Sequence, residues 1–191
     1  MHHIYNKMSN KLVKSNISCK KLPLNIIDKI EIIGDYTLAF LGLLLTFFFP
    51  LLSKYILTGF LLCVPFEYIQ PKLGWVCYYK CITYKYAPKS IMWFFHSIWD
   101  SYILYIILNI TIIIFGDEIY KNYNWTAALF MSFIGMIQEI SIECTETLWF
   151  YIPTKFNPTW AIINGRNMTL QQWHWSILPP IYYYIVMSYN I

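Results

Sequence analysis

Carboxylates and histidines sit inside the most apolar stretches of this sequence. His96 and Asp100 are four residues apart in one apolar run, so a helix places them on one face. Glu139, Glu143 and Glu146 repeat at spacings of four and three in another run, with Gln138 beside them. Glu67 lies near the end of a third run, and Gln171, Gln172 and His174 open a fourth. An ionised group in a membrane span costs about 2.5–3.5 kcal/mol or more, so each needs a physical reason. Three reasons compete. Carboxylates and His on facing helices can ligate a divalent metal, but the paired Glu-x-x-His motifs of di-iron bundles are absent, and no metal is assigned. Closely spaced carboxyl groups can act as general acids and bases on a lipid-like substrate. Carboxyl groups can also join helices through hydrogen bonds. The acid–base candidates are Asp100, Glu139 and Glu143. Glu67, His96, Trp99, Glu146, Asn157, Gln171, Gln172 and His174 would line the same polar region.

The elements that position these groups follow from hydropathy. The 191 residues are 58% hydrophobic, 20% aromatic and only 13% charged, against roughly 25% charged in an ordinary soluble domain. The apolar residues come in runs, as a bilayer requires. Spans are expected at about 36–52, 55–69, 91–115, 125–152 and 170–189. The first two runs are short and are separated by Ser53 and Lys54, so a re-entrant pair competes with two tilted spans. Residues 1–35 form a basic tail without a secretory signal peptide. Its segment 23–34 puts Ile26, Ile27, Ile30 and Ile33 on one face, which predicts an amphipathic helix on the membrane surface. Residues 36–191 make one bundle. The fold expected is therefore all-α: a polytopic transmembrane helical bundle of about five spans behind a surface helix. Residues 153–169 are expected to be a loop.

Charge sets the orientation. With five spans, the tail, the 70–90 loop and the 153–169 loop share one side and hold six, four and two Lys or Arg residues. Lys54 and Lys121 occupy the other side. The positive-inside rule then puts the N-terminus in the cytosol. Measured from that side at 1.5 Å per residue, Asp100 and Glu143 both lie roughly 12–14 Å deep, and His96 and Glu146 roughly 8 Å. The match in depth suggests one polar cavity open to the cytosol. The far half of the spans offers few polar groups, Asn109 and Thr111 among them, too little for a conducting path.

Other classes find no support in the residues. There is no P-loop, GxSxG elbow, HExxH or dinucleotide fingerprint. The five cysteines (Cys19, Cys63, Cys77, Cys81, Cys144) are scattered and form no zinc-type pattern. Cys77 and Cys81 read as interfacial residues, with palmitoylation the alternative. The lysines flank apolar runs, which points to anionic lipid heads and not to nucleic acid. Membrane lipids are the expected partners. A cofactor and the homo- or hetero-oligomeric state stay open.

Several short motifs together resemble the membrane subunits of heterodimeric and fused lycopene cyclases. They are Pro65-Phe66-Glu67, Trp99-Asp100, Phe156-Asn157-Pro158, Gly165, Leu170-Gln171-Gln172 and Pro179, spread over about residues 60 to 185. The resemblance implies a related bundle for an apolar isoprenoid or lipid. Two departures matter. The family's Glu-Glu pair is Gln171-Gln172 here, and Gln cannot donate the proton that opens a polyene cyclisation. The segment 125–152 has no family counterpart. The expectation is thus a lipid- or isoprenoid-binding or -modifying membrane protein, without lycopene cyclase activity. A non-catalytic membrane protein that organises partners is the alternative.

Overall fold

A computed structural model describes residues 26–77, 89–145 and 150–189. Five α-helices dominate: α1 (Ile26–Phe48), α2 (Pro50–Lys72), α3 (Lys89–Phe115), α4 (Trp125–Thr145) and α5 (His174–Ser188). Two short antiparallel pairs join them. Strand β1 (Val76–Cys77) pairs with β2 (Phe150–Tyr151), and β3 (Thr159–Ile163) pairs with β4 (Arg166–Thr169). Single 3-10 turns cover Asp117–Tyr120 and Leu170–Trp173.

Three helices are long and apolar enough to cross a bilayer: Pro50–Lys72, Ile91–Phe115 and Trp125–Cys144. The apolar part of α1 is the shorter Ile32–Phe48, and α5 has 15 residues. A helix satisfies its backbone polar groups internally, which is what an apolar environment demands. Several polar side chains in the spans do likewise. The hydroxyls of Ser97, Ser101 and Thr111 and the amide of Asn109 donate to carbonyls three or four residues back, at 2.6–2.8 Å. Asn109 and Thr111 are therefore spent on their own helix.

Contacts at the helix ends fix an alternating direction. The Tyr36 and Phe95 rings meet at 4.4 Å, and Tyr102 donates to the Gly42 carbonyl at 2.5 Å, so α1 runs alongside α3. At one end of the bundle, Tyr182 donates to the Tyr55 carbonyl at 3.2 Å. Tyr183 there donates to the Ile119 carbonyl at 2.6 Å and accepts from the Asn124 N–H at 3.1 Å. At the other end, His174 stacks on Phe66. Helices α2 and α4 thus run toward the His174 end, and α1, α3 and α5 run away from it.

The core is closed by small residues and aromatics. Leu104, Leu108, Met131, Tyr182 and Tyr183 are buried around Cys63. A Cβ on Gly59 would lie 2.8 Å from the Ser101 Cβ, and one on Gly135 would lie 2.3 Å from the Trp175 carbonyl oxygen. Close backbone approach at small residues is how apolar helices gain packing energy when hydrophobic transfer gives none.

The elements differ from the sequence expectation at four places. Helix α1 is continuous through 34–36, so the predicted surface helix and first span merge; residues 23–25 lie outside the described ones. Ile26, Ile30 and Ile33 are exposed, while Ile32 is buried. The break between the first two apolar runs falls at Phe49, and Pro50 opens α2, because Pro tolerates the first helical turn and not the interior. Ser53 and Lys54 simply occupy that first turn. Helix α4 ends at Thr145, short of the predicted 152, and residues 150–151 form β2. The predicted loop 153–169 carries the β3–β4 hairpin. Its two-residue turn has Asn164 at φ 50° and Gly165 at φ 75°, the positive-φ pair that suits a tight hairpin.

Gly135 gives a direct test. Gly135→Ala should drive α4 from α5 and lower stability by about 1–3 kcal/mol, the range for overpacking. Gly34→Ala, where an added Cβ meets nothing, should leave the melting temperature unchanged or slightly raised. Thermal unfolding of both variants in detergent checks the pair.

Candidate functional site

The polar side chains gather at the end of the bundle where α2 and α4 finish. Glu67 on α2 and His96 on α3 form an ion-pair contact of 3.4 Å between Oε2 and Nδ1. One turn deeper on α3, Asp100 lies within electrostatic reach of Glu67 and Glu139. Glu139 on α4 in turn feels Glu143 and Glu67. Glu67, Glu139 and Glu143 are buried, while Asp100 is half-buried. The spacing of four between Glu139 and Glu143 places both on the inward face of α4, because the outward face is taken by Leu129, Phe133 and Ile137.

The segment after α4 closes over this cluster. Val76 pairs with Tyr151, and the Ile152 N–H donates to the Trp75 carbonyl at 2.7 Å. This carries the Tyr151 hydroxyl to Glu139, to which it donates at 2.9 Å. Burial, then the nearby Glu139, Glu143 and Glu67, hold the Tyr151 phenol well above its usual range. Tyr151 is therefore a lasting neutral donor to Glu139.

Asn157, Gln171 and Gln172 serve the backbone. Asn157 Nδ2 donates to Gln171 Oε1 at 3.1 Å, and the Gln171 N–H donates to Asn157 Oδ1 at 2.8 Å. Gln172 Oε1 accepts from the Thr169 N–H at 2.7 Å. These bonds tie the loop before the hairpin to the start of α5. Both glutamine side-chain oxygens are thus occupied as acceptors at that junction. His174 Nδ1 lies 2.6 Å from the Gln171 carbonyl, and its ring stacks on Phe66 at 5.1 Å and 15°. Glu67 is within electrostatic reach of His174.

The structure thus brings Glu67, His96, Asp100, Glu139, Glu143 and His174 to one end of the bundle. Trp99 is half-buried beside Asp100. Glu146 lies outside the described residues. Among the described residues, no three His, Cys, Asp or Glu side chains converge closely enough to hold a metal ion. Asp100 makes no hydrogen bond or ion pair with a described residue.

Sequence reasoning missed Tyr151, Cys63 and Phe66. The run Phe150-Tyr151-Ile152 before Pro153 carries a strand signal, which the apolar reading of 125–152 absorbed. Cys63 is buried one turn before Glu67 and within reach of Asp100. A phenol cluster was missed as well. Tyr55 and Tyr105 rings lie 5.4 Å apart at the far end, and burial and the nearby Tyr55 push the Tyr120 phenol up.

Comparison with protein families, with characterised proteins and with solved structures finds no match to this chain.

The Tyr151–Glu139 bond tests the closure of the loop. Tyr151→Phe keeps the ring and leaves a buried carboxyl oxygen without its donor, a loss of about 1–3 kcal/mol. The melting temperature should fall, and limited proteolysis within 146–158 should speed up.

Proposed function

We propose that this chain is a multi-pass membrane protein of five spans, with a cytosolic N-terminus, that binds or modifies a lipid or isoprenoid at the carboxylate cluster. The observation that carries this reading is the difference between three converging carboxyl groups. Glu67 has His96 and Glu139 has Tyr151, whereas Asp100 has no hydrogen-bond or ion-pair partner among the described residues. Structural carboxyl groups in an apolar interior need partners. A carboxyl group beside two partnered ones, and not fully closed off, is placed to meet a ligand.

The division of labour follows. Asp100 is the group that would give a proton to an apolar substrate or take one from it. Glu139 and Glu143 supply its acidic surroundings. Glu67 and His96 hold the neighbouring wall, and His174 closes it against Phe66. The apolar helices around the cluster suit a hydrocarbon chain. The likeness to the lycopene cyclase membrane subunits points to the same ligand class, although the acid would here come from α3 and α4 and not from the Gln171-Gln172 position.

Topology is supported by the alternating helix directions. They put Lys72, Lys89, Lys155 and Arg166 at the cluster end and Lys54 and Lys121 at the other. The basic excess supports a cytosolic cluster end.

A second reading rests on the same partnered groups. Glu67–His96, Glu139–Tyr151 and Asn157–Gln171 fasten loops to helices, as a non-catalytic bundle also requires. Lipid extraction and mass spectrometry on the purified protein separates the two. Wild type should carry one enriched lipid or isoprenoid, and Asp100→Asn/Glu143→Gln should lose it while staying monodisperse. Bulk lipid alone in both samples would assign the carboxyl groups to helix joining. Asp100→Asn alone should abolish activity at unchanged expression.

A further inference from the structure

The β3–β4 hairpin presents a largely apolar outer face that no described element covers. Its inner face is built from Ala161 and the fully buried Met168, which pair across the strands. The outer face carries Trp160 and Ile162, 41% and 68% exposed. Phe156, just before the hairpin, is 77% exposed. An antiparallel pair with one face in water places polar residues there. Here Trp160 and Ile162 dominate that face, with Asn167 across from Ile162 as its polar member.

The anchors of the hairpin fix its level. Strand β4 runs without a linker into the Leu170–Trp173 turn and then α5. At the other end, Asn164 Nδ2 donates to the Cys144 carbonyl at 3.3 Å, and Cys144 is the last residue of an apolar stretch long enough to span. The hairpin thus lies across the line where α4 stops and α5 starts. Helix α5 is too short to span alone. Its 15 residues cover about 22 Å, against a hydrocarbon core of about 30 Å. The 3-10 turn adds about 8 Å, which brings Leu170 and the strand ends to the membrane boundary.

The outer face is also continuous with the exposed face of α5. The Trp160 and Trp173 rings meet at 5.9 Å in an edge contact. Trp173, Ile177, Ile181 and Tyr184 follow at spacings of four, four and three, and all are exposed, so they form one stripe. Lys155 lies over the Phe156 ring at 5.8 Å. Tryptophan with an adjacent cation is the composition of a membrane–water interface.

We propose that the β3–β4 hairpin is a membrane-interface anchor, its Trp160–Ile162 face lying in the headgroup–acyl boundary beside α5. The inference rests on the membrane reading of the helices. By docking there, the hairpin would lengthen the apolar reach of α5 and hold the Asn157–Gln171 junction against the carboxylate cluster.

The test uses the full chain in vesicles of phosphatidylcholine with a minority of phosphatidylglycerol. Cys19→Ser, Cys77→Ser, Cys81→Ser and Cys144→Ser remove the other thiols, and Cys63 stays buried. An environment-sensitive dye is placed at Ile162→Cys and, separately, at Leu61→Cys, a mid-helix site on α2 that is 64% exposed. At residue 162, lipids with a nitroxide near the headgroup should quench the dye more than lipids with a deep nitroxide. Aqueous iodide should quench it several-fold less than free dye. Full iodide quenching without nitroxide quenching at 162 overturns the proposal. Protection from both quenchers also overturns it, because a protein surface would then cover the face. Residue 61 should respond to the deep nitroxide. If it responds to none, the membrane reading itself fails; if 61 responds and 162 does not, only the hairpin anchor fails.

Discussion

Carboxyl groups among apolar helices are costly without partners, and this one constraint organises the described part of the chain around Glu67 and Glu139. Glu67 and Glu139 sit where the surrounding residues are aliphatic and aromatic. Desolvation of such a group costs several kcal/mol unless a hydrogen bond or ion pair offsets it. His96 does this for Glu67 from the next helix. Tyr151 does it for Glu139 from strand β2. The path of residues 150–158 is therefore tied to the chemistry of α4. The β1–β2 pair and the Asn157–Gln171 bonds are the means by which that segment is held in place.

The same end of the bundle is where the helices lose their regularity. Helix α4 stops at Thr145, α5 begins through a 3-10 turn, and a hairpin lies between them. The far end is different in character. There Tyr183 and Asn124 close a tight connection between α3, α4 and α5, and Asn124 Oδ1 caps α4 by accepting from the Ala127 N–H at 3.1 Å. One end is a stable clasp built from phenols and a helix cap. The other is a polar, loop-covered surface, which is where binding sites are most often found. Close contacts at Gly59 and Gly135 join the two ends, since they set how near α2 comes to α3 and α4 to α5.

Much of this was legible from residue spacing. The pairing of His96 with Asp100, and of Glu139 with Glu143, follows from the helical period alone. Their common depth follows from counting along runs whose ends are marked by charge and aromatic residues. Two errors have physical causes. Hydropathy does not distinguish a buried strand from the last turn of an apolar helix, so Phe150-Tyr151 was merged into α4. The Asn164-Gly165 turn carried a readable hairpin signal, but the surrounding polar and proline residues suggested a plain loop. The roles of Gln171 and Gln172 were not readable at all. Amides at these positions look like lost acids until the Asn157 side chain and the Thr169 N–H are in view as their partners.

By itself the sequence determined that apolar helices of spanning length would form, where charge would accumulate, and which acidic residues would share a helix face. Those properties are local: they depend on a period of 3.6 and on runs of side chains. Only the tertiary structure decided which face of each helix meets which neighbour. It alone set Tyr151 on Glu139, His174 on Phe66 and the hairpin across the ends of α4 and α5. These pairings join residues far apart in the chain, and they depend on close packing between helices and on the search of buried polar groups for partners.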